Sequence, residues 1–495
     1  MLNGMKVMPA NPFSCWVVAT LHATLLASAA LSQQPARHKD VLELVDQHAA
    51  HFSETSKTIW DYAELGYKEQ KSSALLQREL QAAGFRVQAS VADEPTAFVA
   101  TYGQGEPVIA ILGEFDALPG LSQTATPDRS AVLADAPGHA CGHNLLGAGA
   151  ALAAVALKEH MERNHVSGTL RYYGTPAEEG GHGKVYMLRA GLFRDVDVAL
   201  QWHPSDVNGV TNGGALAMNS ARFLFHGTAA HAAIAPERGR SALDAVMLMG
   251  NAVEFLREHI PSNSRVHYVI TNGGAAPNIV PDTAELYLYA RNPSSEVLKG
   301  VWDRILKIGQ GAALMTETTL DVREVGGTTN LLPNDPLSKA AQRNLQEVGG
   351  FHYTAEEKHF AQELQKSLPA GAAGALDSTG LIQPLRGADP NAAAASTDVG
   401  DVSWNVPTIG FTTATFVPGV AAHTWQAAAS AGMSIGQKGM IVAAKALAVT
   451  GADLFSDRQL VLDAKADFRH QMEGKTYQSV IPVGQKPPLN YRDKQ

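Results

Sequence analysis

Cysteine is scarce: the 495 residues contain two, Cys15 and Cys141. A small scaffold stapled by several disulfides is therefore excluded. Charge is sparse as well, at 18% of residues, and the balance is acidic at -9. A general electrostatic footprint for nucleic acid is missing, and no nucleic-acid partner is expected. No GxxxxGK[ST] segment and no strand-linked GxGxxG element occurs, so nucleotide-dependent chemistry has no support. Glycine and proline number 45 and 25 without a collagen-like period, which favours a loop-rich α/β architecture. The apolar run over residues 13–26 contains His22 and several polar residues. It falls short of a ~20-residue span, so no permanent membrane anchor is expected.

Apolar residues make up 45% of the chain, enough to build a core and to argue against disorder. The length is about three times the ~150 residues of a soft one-domain prior, so two or more domains are expected. Lys6, the apolar run and then Ala27-Ser28-Ala29 form the pattern of a secretory signal peptide over residues 1–29. A periplasmic or secreted protein is the expectation. Cutting after Ala29 removes Cys15 and leaves Cys141 as a single thiol, which in an oxidising compartment needs a reason to be there.

Helical periodicity covers residues 39–83, with Gly84 as a C-cap. Strands follow in FRVQAS, TAFVATYG and PVIAIL, then a helix over 144–160, then strands in TLRYYGT and VDVALQWHP. Strands alternating with helices predict an α/β catalytic domain with a largely parallel sheet and a site at its carboxyl edge. Its first part spans 33–213. A β-α-β-β-α-β order over 214–331 predicts an inserted ferredoxin-like α+β domain. The catalytic domain resumes over 332–473, with a helix over 433–447. Residues 474–495 have little periodicity and are expected to form a surface tail.

Five segments carry groups suited to a transition metal. They are Asp116 (GEFDALPG), Cys141 with His143 (GHACGHNLLG), Glu178 with Glu179 (TPAEEGG), His203 (QWHPS) and His423 (AAHTWQ). Each adjoins a predicted strand end, and the fold would have to assemble them. Imidazole, thiolate and carboxylate together suit Zn2+, with Mn2+ or Co2+ as alternatives. Two ions a few Å apart need an anionic bridge, such as a thiolate or hydroxide. Taken singly, Cys141 reads as a small buried hydrophobe and Glu178-Glu179 as a solvated helix start. His139 and His143 beside Cys141, and Pro176 and Gly180-Gly181 around the acidic pair, weigh against both. A Cys141 nucleophile served by His139 or His143 is a second enzymatic reading. Metal storage or solute binding is a non-enzymatic one, but it does not require an extra acid beside a ligand carboxylate.

These stretches, with HGTAAHAAIAPERGRSALDAV, TNGGAAPNIVPD and STDVGDVSW, resemble the M20 family of metallopeptidases and amidohydrolases. Within it they are similar to the aminobenzoyl-glutamate utilisation protein B group. The resemblance implies a di-metal catalytic domain and an inserted dimerisation (lid) domain, hence a homodimer. By motif, Cys141 matches a bridging ligand, and His143, Glu179, His203 and His423 match terminal ligands. Glu178 matches the general base, and Asp116 the carboxylate that orients a ligand histidine, fixing its tautomer. Asn144 departs from one common branch and fits the named group. His231 matches a histidine that reaches the substrate, often from the partner subunit, and is suited to oxyanion stabilisation. Asn278 is suited to carbonyl or carboxylate groups. Arg291 reads as a carboxylate clamp or, equally, as a structural ion-pair partner. His226 and Arg240 receive no role. The implied substrate is a small-molecule amide or dipeptide, above all an N-acyl or aminobenzoyl amino acid such as p-aminobenzoyl-glutamate. An M20-type dipeptidase or carboxypeptidase is the alternative.

Overall fold

A computed structural model describes residues 38–387 and 395–493. The expected signal peptide and its cut at Ala29 lie outside the described residues. Of two compact units, Met1–Lys39 falls almost wholly outside them, and Asp40–Gln495 carries the fold.

Helices α1 (Lys39–Tyr62) and α2 (Gln70–Ala82) come first. Strands β1 (Arg86–Ala89), β2 (Phe98–Gln104) and β3 (Val108–Glu114) follow, then α3 (His143–Arg163) and β4 (Gly168–Thr175). Next come α4 (Gly183–Arg189), β5 (Val198–Ser205) and β6 (Gly209–Thr211). A second group contains β7 (Ala217–His226), α5 (Ala242–Arg257), β8 (Arg265–Asn272), β9 (Thr283–Asn292), α6 (Ser295–Thr316) and β10 (Thr319–Thr328). The chain then returns through α7 (Asp335–Val348), α8 (Ala355–Gln365), α9 (Val399–Ser403) and β11 (Thr408–Ala414). It finishes with α10 (Trp425–Ala431), α11 (Ser434–Ser456) and α12 (Arg458–Gln471).

Local chemistry explains many of these boundaries. Ser241, Ser294, Asn334 and Thr424 each accept a backbone N–H at the start of their helix, which satisfies an otherwise unpaired donor. Thr354 and Glu357 form a reciprocal capping box on α8. Strand β3 is buried along its whole length, as a strand covered on both faces must be.

The large sheet runs β1-β2-β4-β3-β5-β11-β6. Its centre, β4-β3-β5-β11, is parallel. The pairs β1-β2, β2-β4 and β6-β11 are antiparallel. The expected largely parallel sheet is thus corrected to a mixed one. Short connections after β1, β2 and β5 reverse the chain, so that β1, β2 and β6 run against the strands they pair with, whereas the helical crossovers impose parallel pairing in the middle. Ile109, Ile111, Leu170, Tyr172 and Leu200 join the core built with α3 and α11. Ala110, Leu112, Tyr173 and Ala199 join a second core with Met187, Phe193, Val399 and Val402. The helix expected over 433–447 continues to Ser456, because Val449, Ala452 and Leu454 are buried and prolong its apolar surface. By length and composition α11 could cross a membrane, but 78% of its apolar window is buried inside the protein.

The second sheet is antiparallel with order β10-β7-β9-β8. It and helices α5 and α6 share a separate apolar core that includes Phe223, Val246, Leu288 and Trp302. The tail expected on the surface is partly embedded: Ile481 is buried against Val185 and Tyr186.

Candidate metal centre

The four parallel strands β4-β3-β5-β11 end on one edge. Glu114 closes β3, and Asp116 follows it. Glu178 and Glu179 follow β4, His203 lies near the end of β5, and His423 lies on the loop after β11. Polar groups gathered at the carboxyl edge of such strands are placed to meet a ligand. Cys141 and His143 arrive from the start of α3, whose N-cap is Gly142 at φ +76°. A Cβ there would come within 2.8 Å of Pro204, so glycine both permits the left-handed turn and lets the His203 strand approach. His423 has φ +63°, and its N–H donates to Ala140 O at 2.8 Å. A strained non-glycine residue held this way is a feature of functional loops.

The donor atoms converge. Cys141, His143 and His203 form one group with all ligand atoms within 4.8 Å of one another. Cys141, Glu179 and His423 form a second group within the same 4.8 Å limit. Cys141 belongs to both, as a thiolate bridging two ions would. The Cys141 sulfur lies 3.6 Å from His203 Nε2. His203 Nδ1 is 2.8 Å from Pro204 O, so Nδ1 carries the proton and leaves Nε2 as the donor atom towards the site. His423 Nε2 lies 3.0 Å from Glu179 Oε1, and His143 Nε2 lies 3.3 Å from Glu114 Oε2. These are close approaches of opposite charge, but His143 Nε2, Glu114 Oε2 and Glu179 Oε1 are buried without a well-aligned hydrogen bond. Such orphaned buried atoms are costly, and these three are able to coordinate a cation. The residues therefore fit two divalent ions.

Electrostatics follow from burial and crowding. Burial, followed by the carboxylates of Glu114 and Glu179, holds the Glu178 pKa well above the ordinary carboxylate range. Burial raises Glu179, but its contact with His423 and the nearby His143 prevail and hold it below the usual value. Burial disfavours charged His143, yet Cys141 and Asp116 raise its pKa well above the usual imidazole value. Burial pushes the Cys141 thiol up, opposite to the shift of an activated nucleophile. His139 is pulled down to about 3 by burial. Its Nε2 donates to Ile59 O at 3.1 Å, so that nitrogen caps a helix carbonyl.

The expected residues separate into two sets. Asp116, Cys141, His143, Glu178, Glu179, His203 and His423 come together. Among the described contacts of the single chain, His231, Asn278 and Arg291 make none with this cluster. His231 Nδ1 accepts the N–H groups of Ala233 and Ile234 at 3.2 and 3.3 Å, which leaves Nε2–H as a donor. Asn278 is exposed, and its carbonyl accepts the Ala232 N–H. Arg291 lies over the Tyr289 ring at 5.0 Å.

Sequence reasoning passes over a buried charge cluster behind the site. Lys184 Nζ lies 2.7 Å from Glu114 Oε1 and 2.6 Å from Asp398 Oδ1. Glu114 in turn groups with His143 and Glu178 within 4.8 Å. The available signal is that GEFDALPG, EEGGHGK and STDVGDVSW each carry a charge among small residues.

The profile of Peptidase family M20/M25/M40 matches residues 110–377. The chain is 40% identical over 468 residues to the B component of p-aminobenzoyl-glutamate hydrolase from Escherichia coli (strain K12), covering 90% of this chain and 97% of that one. It is 31% identical over 461 residues to the Xaa-Arg dipeptidase of Homo sapiens, covering 89% and 93%. A dinuclear metal-binding peptidase of family M20 from Bacillus subtilis shares the fold with a TM-score of 0.58 at 17% identity, covering 83% of this chain and 99% of that one. Matching extent and identity together place the chain in peptidase family M20/M25/M40, as a metal-dependent amidohydrolase or peptidase.

Proposed function

We propose that the protein hydrolyses the amide bond of N-acyl or aminobenzoyl amino acids, with p-aminobenzoyl-glutamate as the leading substrate. The observation that carries this reading is the double membership of Cys141. Cys141, His143 and His203 would hold one ion, and Cys141, Glu179 and His423 the other, with Zn2+ as the first choice of metal. When bound, such ions supply Lewis acidity to the amide carbonyl and lower the pKa of water. Asp116 orients His143 through Nδ1 and the Glu179 backbone through its second oxygen. Glu178 accepts the proton of the attacking water on its carboxylate and returns it to the leaving nitrogen.

His231 presents Nε2–H on an exposed loop. In our reading it stabilises the oxyanion in a homodimer, reaching the partner subunit's site, with Asn278 and Arg291 binding the carboxylate end of the substrate. The dimer is proposed to form through the β8 edge and α5. Val269 and Ile270 on β8 are 57% and 47% exposed, and Phe255 on α5 is 73% exposed, an apolar surface on an unpaired edge strand. The periplasmic or secreted location is likewise a proposal, drawn from residues 1–29.

Identity to the Xaa-Arg dipeptidase favours a second reading, an M20-type dipeptidase. One experiment tests both. Protein loaded with Zn2+, Mn2+ or Co2+ is offered p-aminobenzoyl-glutamate, other N-acyl amino acids and dipeptides including Xaa-Arg. Preferential cleavage of acyl amino acids supports the first reading, and preference for dipeptides supports the second. With metal content verified, cleavage of neither class rejects both.

A further inference from the structure

The last residues of the chain return to the site. After α12 the segment 474–493 is anchored step by step. Tyr477 donates to Asp401 Oδ1 at 2.8 Å, and Ile481 is buried against α4. Arg189 donates to the carbonyls of Pro482 and Gln485 at 3.1 and 3.3 Å. Lys68 reaches Asn490 Oδ1 at 2.8 Å. The segment ends on the loop that carries the two glutamates. Tyr491 OH donates to Glu179 O at 3.3 Å, and the Arg492 guanidinium donates to the same carbonyl. Tyr491 packs edge-on against Tyr67 at 5.9 Å, and Tyr67 OH donates to Gly181 O at 2.8 Å. Space for the Tyr491 hydroxyl depends on Gly66, where a Cβ would lie 2.2 Å from that oxygen.

The loop 176–181 is thus gripped from two sides. On the inner side the Glu69 carboxylate accepts the Ala177 N–H at 2.8 Å and Asp116 accepts the Glu179 N–H at 2.9 Å. On the outer side the tail holds the Glu179 carbonyl. We propose that segment 474–493 is a strap, and that Tyr491 and Arg492 are positioning residues which fix the peptide of Glu179 and thereby the carboxylates of Glu178 and Glu179. This rests on the function proposed above only in assigning those carboxylates their roles. A guanidinium and a phenol sharing one carbonyl remove the peptide-plane rotation that would swing Glu179 away from His423. The geometry required of a metal ligand is tight, and its supporting contacts set affinity.

The test uses the full chain with Arg492→Ala, Arg492→Lys and Tyr491→Phe. The readouts are hydrogen exchange of the 177–181 amides, release of Zn2+ to a chelator, and kcat and KM. For Arg492→Ala the strap predicts loop exchange and loss of one of two bound ions about tenfold faster than wild type. The melting temperature and KM stay near wild type, and kcat falls. Arg492→Lys, which keeps a cationic donor, and Tyr491→Phe, which keeps the ring, give intermediate values. Unchanged loop exchange and unchanged metal release in Arg492→Ala overturn the strap. If wild type holds metal but cleaves no amide, the hydrolase reading fails, while loop exchange still decides the strap. If wild type is active and the variant matches it in every readout, the strap alone fails.

Discussion

His143 Nδ1 lies 2.8 Å from Asp116 Oδ1, and neither side chain reaches solvent. The other Asp116 oxygen accepts the Glu179 N–H at 2.9 Å. One carboxylate therefore aligns a candidate ligand of each ion. Asp116→Asn keeps one acceptor but turns an amide N–H2 towards one of its two present donors. Metal affinity is expected to fall about 10- to 100-fold. Chelator competition on the purified variant checks this, and wild-type affinity would contradict the orienting role.

Glu178 belongs to no group that includes Cys141. Glu178→Gln should therefore retain both ions and lose turnover by about 10^2- to 10^4-fold. The base acts only when deprotonated, so the wild-type rate rises with pH through its pKa. That acid limb should vanish from the residual activity of the Gln variant. Metal analysis with a pH–rate profile checks both parts, and a fully metallated variant with normal turnover would remove Glu178 from the mechanism.

Lys184 is buried between Glu114 and Asp398. Lys184→Met leaves two buried carboxylates facing each other without a counter-charge, at a cost of about 3–5 kcal/mol. Pairing it with Asp398→Asn should recover part of the loss. Urea midpoints for wild type, single and double variants measure this. A single variant as stable as wild type would mean that solvent reaches the cluster.

Burial raises Asp401 from its ordinary 3.8 to about 7, against the opposing hydrogen bonds from Tyr477 and Thr329. The folded state holds that proton more tightly than the unfolded chain. The contribution is fully present below about pH 4 and is lost as pH rises through about 7. Asp401→Asn cannot ionise. Its stability relative to wild type should rise across that interval, by on the order of 4 kcal/mol. Thermal unfolding of both proteins at several pH values checks the slope, and a constant difference would show that Asp401 titrates normally.

Much of the catalytic edge is legible in the chain because strand ends, glycines and donor residues are local signals. GEFDALPG, GHACGHNLLG and TPAEEGG each place their donors beside a turn that the structure contains. Other features leave weaker traces. Helices α7 and α8 open on Asn334 before Asp335-Pro336 and on the Thr354–Glu357 capping box, and these starts are easily overlooked beside the donor motifs because they carry no site residue. The antiparallel edges of the main sheet are equally hidden, because β1, β2 and β6 carry no mark of their pairing direction.

The sequence by itself determined the donor types: one thiol, three imidazoles and an adjacent pair of carboxylates, in the order expected of a di-metal hydrolase. Their chemistry is intrinsic to each side chain. Tertiary structure alone decided that Lys184 pairs with Glu114, and that Tyr491 and Arg492 return to Glu179. Coordination, charge pairing and hydrogen bonding depend on distances of a few Å between atoms, and residues separated by hundreds of positions acquire those distances only when parallel strands end together and the tail closes over them.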